Sequence, residues 1–145
     1  MSFPALGKMD LRECKNKGFV KEAKPDKRFA LALIKASEKS MKSQELMPLN
    51  DTTSGSKVSL AYDALRELLE SISISRGYRI YNHECYASFL KETLSESVLG
   101  DKFDKLRKIR NSINYYAKEI GADEAKEVLK EMNSLMEKLK KLRTG

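Results

Sequence analysis

The segment LRKIRNSINYY, residues 106–116, sets two arginines and two asparagines inside an apolar pattern of helical period. At roughly 100° per residue, Phe103, Leu106, Ile109, Ile113, Tyr116, Ala117 and Ile120 gather in a single arc. Arg110 falls at the edge of that arc, Arg107 and Asn114 lie just beyond it, and Asn111 and Lys118 flank them. Tyr115 points away from its centre. A guanidinium at a core boundary must be paired or must reach water, because burying it alone is costly. The strip is therefore either a structural polar network or the lining of a cleft.

Working outward, Gly121 is predicted to end this helix near Ile120, and Gly100 with Asp101 to mark its start. The last helix is the most amphipathic: Ala125, Val128, Leu129, Met132, Leu135, Met136, Leu139 and Leu142 form one stripe suited to core packing in a bundle. Upstream, Asn82 is read as the N-cap of a helix through Leu99 that turns Cys85, Tyr86, Phe89, Leu90 and Thr93 inward. Leu60, Ala61, Ala64, Leu65, Leu68, Leu69 and Ile72 recur at helical spacing, and Gly77 closes that helix. SISIS at 71–75 alternates like a strand, but it extends a helical pattern and is read as the helix end.

MPLNDTTSGSK, residues 47–57, has the composition of a flexible loop. Before it, a long helix starts after Pro25 and runs to Leu46, with Phe29, Ala30, Leu33, Ile34, Ala36 and Met41 on its apolar side. Ala36, Ser37 and Ser40 leave room for close approach of a second helix. Residues 1–24 form an N-terminal extension with a short helix between Asp10 and Gly18. The expected architecture is all-α with no strand. It is a single domain, 1–145, of five to six helices around a long antiparallel pair near 26–46 and 58–76.

At 145 residues and 41% apolar content the chain can bury a sizeable core. Its formal charge of +7 is uneven: the first 50 residues carry eleven Lys or Arg against six acidic residues. That balance suits an anionic partner and equally a lysine-rich solvated surface. Cys14 and Cys85 have no CxxC spacing and the sole histidine is His83, so two idle thiols are expected, with no metal and no cofactor. No signal peptide and no membrane span is legible, and the expected place is the cytoplasm. P-loop, Rossmann, zincin and Ser-His-Asp patterns are all missing.

Three quoted stretches together resemble the HEPN domain, a small helical bundle of prokaryotic toxins, nucleotidyltransferase partners and RNA-cleaving defence proteins. FALALIKASEKSMKSQEL follows PDK at 25–27; AYDALRELLE precedes RGYRIYNHECY; and LRKIRNSINYY precedes GADEAKEVL. The last pair stands where the family carries an Arg-polar-x(4–6)-His motif before its final helix, and the resemblance spans about residues 11–143. It implies a homodimer, an RNA or nucleotide ligand held by Arg107, Arg110, Asn111, Asn114 and Lys118, and a nucleotidyltransferase-type antitoxin as partner.

The chain departs from that motif at its histidine, where Asn114, Tyr115 and Tyr116 stand instead. Asparagine does not titrate and an unperturbed tyrosine has a pKa of about 10, so neither is a good base near neutral pH. The expectation is a module that binds a nucleotide, RNA or a partner protein without cleaving. The alternatives are a metal-independent endoribonuclease toxin using Arg110, Asn114 and Tyr115, and a structural helical adaptor. His83, outside the motif, is read as a helix-start residue rather than a displaced catalytic base.

Overall fold

Acidic side chains start the first two helices, Asp10 as expected and Asp26, one residue after the proline read as the start, as a cap the sequence reading did not name. In the computed structural model, which describes residues 9–143, the Asp10 carboxylate accepts the Glu13 N–H at 2.8 Å and opens α1, Leu11–Asn16. The Asp26 carboxylate accepts the Phe29 N–H at 3.0 Å and opens α2, Lys27–Leu46. Then come α3, Ser54–Ser75, and α4, Cys85–Ser88, prolonged by a π-helical turn, Phe89–Thr93. The chain continues with α5, Ser97–Tyr115, and α6, Ala122–Lys140. Residues 1–8 of the predicted N-terminal extension lie outside the described residues.

The bundle is built around α3. Val58, Ala61, Tyr62, Leu65, Leu68, Leu69 and Ile72 are buried along its length, and α2, α5 and α6 all pack against it. The seam with α2 is close because it is made of small residues. Ser37 Oγ donates to the Ala64 carbonyl and Ser71 Oγ to the Ala30 carbonyl, each at 2.7 Å, so both buried hydroxyls are satisfied. The stripe Ala125, Val128, Leu129, Met132, Leu135, Met136 and Leu139 of α6 lies buried, and Phe103 and Leu106 of α5 join the same core. SISIS is helical to Ser75, as its place in the pattern implied.

Several boundaries differ from expectation. The loop predicted over 47–57 closes early, because Asn50 Oδ1 accepts the N–H groups of Thr52 and Thr53 and α3 begins at Ser54. Lys57, assigned to that loop, is buried at 6% exposure, and its ammonium donates to the carbonyls of Gln44 and Met47 at the end of α2. The predicted stop at Gly100 is a mid-helix position. A Cβ there would come within 2.9 Å of the Ala87 carbonyl, so glycine lets α5 lie against α4. The break falls instead at Ser95, whose φ of 57° ends the π turn. Downstream, α5 stops at Tyr115, leaving Tyr116 80% exposed and Ala117 at φ 52°, both outside the core arc that had included them.

The chain also has the strands that were not expected. β1, Val20–Glu22, and β2, Tyr78–Ile80, pair antiparallel with Val20 opposite Ile80. Gly77, at φ 88° and 3.1 Å from the Ala23 carbonyl at its would-be Cβ, turns the chain from α3 into β2. Next to this ribbon, Cys14 and Cys85 are joined in a disulfide, which corrects the reading of two idle thiols. Spacing concealed the pair: 71 residues separate two cysteines that the ribbon brings together on α1 and α4. The cytoplasmic expectation loses the support it drew from free thiols. No helix among the described residues is long and apolar enough to cross a membrane.

Closing a 71-residue loop restricts the unfolded chain, so we expect Cys14→Ser with Cys85→Ser to lower the unfolding free energy by about 4 kcal/mol. Urea titration of the double variant beside the oxidised parent measures this. An unchanged midpoint would mean that the cross-link does not contribute to the stability of the bundle.

Candidate functional site

The opening segment meets α3 and the start of α4 in a cluster of arginines over buried rings. α3 contributes Tyr62, Asp63, Arg66 and Glu70; α5 contributes Phe103, Asp104, Arg107 and Arg110; His83 and Tyr86 come from the chain entering α4. Tyr62 stacks on Phe103 with centroids 5.6 Å apart, and Tyr86 meets Phe103 edge-on at 5.9 Å. These contacts bury the rings and fix the height at which the polar groups sit.

Two of the three arginines have close carboxylate partners. Arg107 donates through Nε and Nη2 to Asp104 Oδ1 at 3.0 and 2.8 Å, and Lys108 adds a second cation at 3.3 Å from Asp104 Oδ2. Arg66 pairs with Glu70 one turn away at 3.0 Å. Arg110 differs. Its nearest carboxylate, on the half-exposed Asp63, is 3.9 Å away, and Nη1 donates a long 3.4 Å bond to the Tyr115 hydroxyl. Its buried Nε meets no acceptor among the described residues. The guanidinium lies over the Tyr62 ring, 5.0 Å from the centroid, and 5.7 Å from that of Tyr115. It is thus held in place by aromatic faces while its donors stay largely uncommitted.

Below it, the Tyr62 hydroxyl and His83 Nδ1 share a hydrogen bond of 3.0 Å, whose direction follows the imidazole tautomer. Burial pushes the Tyr62 phenol well above its ordinary range, outweighing the pull of Arg110, Arg107 and Arg66. Burial also lowers His83, and the same three arginines, Arg66 first, lower it further, to about 4. Burial, helped by Glu70, raises the Tyr86 phenol too. At neutral pH the floor of the cluster is therefore uncharged, and the fixed charge belongs to the arginines and their carboxylates.

The residues singled out in the sequence divide accordingly. Arg107 and Arg110 are in the cluster and Tyr115 closes over Arg110. Asn111 is half-buried on the same helix, and exposed Asn114 accepts the Ser59 hydroxyl at 3.0 Å, tying the end of α5 to α3. Lys118 lies beyond the end of α5, pairs with Glu124 at 3.6 Å, and lines a different cleft with Asp51, Thr52 and Gly55. Tyr62, Asp63 and Arg66 were not anticipated as site residues, and His83 had been set aside as a helix-start residue. The available signal was Tyr62, Arg66 and Glu70 at spacing four along an otherwise apolar helix.

No protein-family model matches the chain, and neither a curated protein nor a solved structure matches it.

Because His83 titrates near 6.5 when unfolded and near 4 when folded, folding favours the neutral ring. That contribution is complete above pH 6.5 and is lost as pH falls toward 4. We expect the melting temperature to decline across this window, and the decline to shrink in His83→Asn. Identical pH profiles for parent and variant would assign the acid sensitivity to other groups.

Proposed function

We propose that the chain is a HEPN-like module that binds a phosphate-bearing ligand, RNA or a nucleotide, at Arg110 without cleaving it. The observation that carries this reading is the state of Arg110. It is a guanidinium with only 15% of its side chain exposed, stacked on Tyr62, and its nearest carboxylate stands at a loose 3.9 Å. A phosphate oxygen at this edge would receive the donors that Asp63 does not engage, in the two-pronged geometry for which arginine is suited. Exposed Tyr115 beside it offers a face for a base.

The chemistry of the neighbours argues for binding over cleavage. His83 is the imidazole of the cluster, and a pKa of about 4 leaves it poorly matched to proton abstraction near neutrality. The raised Tyr62 phenol does not ionise there either. Asn114, proposed as part of a variant ribonuclease motif, is held by Ser59. The same exposed tyrosine supports pairing of two copies through the Arg110 face. Light scattering at micromolar concentration should show a dimer that Tyr115→Asp weakens, and a strictly monomeric parent would remove this part of the reading.

Purified protein should leave single-stranded RNA intact while binding it, with affinity falling as salt rises because phosphate contacts release counterions. Arg110→Ala should weaken that binding by roughly 1–3 kcal/mol, the scale of one charge-assisted contact. Metal-independent cleavage that disappears in Arg110→Ala and in His83→Asn would instead establish a ribonuclease. Binding unaffected by Arg110→Ala would detach the function from this cluster.

A further inference from the structure

Where α2 begins and α3 ends, the bundle holds an apolar cavity that the Arg110 cluster does not use. It encloses about 210 Å³ among Ala30, Leu31 and Ile34 of α2 and Ile72 of α3, with exposed Lys27 and Arg143 also lining it. Two serines complete the wall, and their hydrogens are committed: Ser71 Oγ donates to the Ala30 carbonyl at 2.7 Å and Ser75 Oγ to the Ile72 carbonyl at 2.9 Å. The hollow is smaller than the roughly 300–1,000 Å³ of sites that enclose a whole small molecule, and suits an inserted aliphatic side chain. Leu31, 60% exposed, stands at its edge as apolar surface left in water.

Cations without carboxylates surround this hollow. Arg76 donates to the Leu142 carbonyl at 3.0 Å, which ties the end of α3 to the segment carrying Arg143. Arg79 lies over the Phe29 ring, 5.2 Å from its centroid, and Phe29 packs with Ala30 and Ile74. None of Lys27, Arg76, Arg79 and Arg143 belongs to an ion pair among the described residues, whereas Arg66 and Arg107 each have one. The first turn of α2 has no acidic residue, so Lys27 and Arg28 add their charge to the positive end of the helix dipole. Charge of one sign is thus collected around an apolar opening, an arrangement that does not stabilise the chain by itself and is complementary to an acidic, apolar-anchored surface.

We propose that this hollow docks an acidic segment of a partner protein, which inserts one leucine-like side chain between α2 and α3 and sets its carboxylates against Lys27, Arg76 and Arg143. The anchor supplies affinity by removing itself and Leu31 from water, and the charges orient the segment and reject basic ones. Nucleic acid would meet the cations but has nothing aliphatic to place in the hollow. Ser71 and Tyr62 are about 14 Å apart along the α3 axis, so the surface is separable from the Arg110 cluster.

The test is fluorescence anisotropy of the full-length protein with a labelled peptide of Glu and Leu at amphipathic helical spacing. One control peptide has Gln for every Glu, the other Ala for every Leu. Methyl shifts of Leu31, Ile34 and Ile72 give a second readout. The Glu–Leu peptide should bind roughly tenfold more tightly than either control and move those methyls. Lys27→Glu, Arg143→Glu and Leu31→Asp should each weaken it about tenfold. All three side chains are exposed, so these variants keep the fold. Arg110→Ala should change binding by less than about twofold, since that residue is remote. The proposal is overturned by a control that binds equally well, by variants that bind like the parent, or by a Kd weaker than about 1 mM for the Glu–Leu peptide. Methyl contacts that put Phe3 or Leu6 in the hollow would also overturn it, because the occupant would then be the chain's own first segment.

Discussion

Everything else in this molecule accommodates one constraint: α3 is buried on most of its circumference, yet its sequence is not purely apolar. Each polar group on it must find a partner from a neighbouring element, because a buried unpaired donor or acceptor costs about 1–3 kcal/mol. The consequences radiate outward. Ser71 reaches the carbonyl of Ala30, Lys57 caps the end of α2, and Tyr62 meets His83 at the entry to α4. The positions of α2, α4 and α5 around α3 are thus set by hydrogen bonds as well as by shape.

The arginine cluster follows from the same constraint. Tyr62 and Phe103 stack in the core, and the aromatic surface they present toward solvent becomes the bed on which Arg110 lies. Asp104, nearly fully buried, is tolerated because Arg107 and Lys108 both face it. What differs at Arg110 is the exposure of its partner. Asp63 remains 39% exposed and 3.9 Å away, so solvent screening keeps that pair weak while the guanidinium itself is largely sheltered. A sheltered cation with a weak partner is a better anion receptor than a well-paired one, since little internal interaction has to be broken.

Helical periodicity made most of the bundle legible. The stripe from Ala125 to Leu142 and the run from Leu60 to Ile72 each bury the residues their spacing selects, except that Leu60 and Leu142 at their outer ends are half-buried. The ends of helices were harder, because they depend on contacts with other parts of the chain. Gly100 carries the usual mark of a helix stop but serves close packing against Ala87, and Ser95, with no glycine or proline near it, is where the backbone turns. The Cys14–Cys85 pair and the Val20–Ile80 ribbon support each other across the chain, and neither has a local signature. For the site, the motif on α5 located Arg107 and Arg110, whereas Tyr62, Arg66 and His83 required knowledge of which elements meet.

Arginine and lysine are used differently on the two faces of α5, and the difference is physical. Guanidinium groups are weakly hydrated and planar, so Arg107 and Arg110 tolerate partial burial against rings and carboxylates. Ammonium groups hold their water strongly and do not shift into such a setting without a partner, which is why Lys102, Lys105 and Lys138 stand at the solvent edge of the α5–α6 seam. One helix therefore carries a sheltered guanidinium on the side that meets α3 and hydrated ammonium groups on the side that meets α6. Salt therefore screens the field of the exposed lysines well before that of the sheltered arginine.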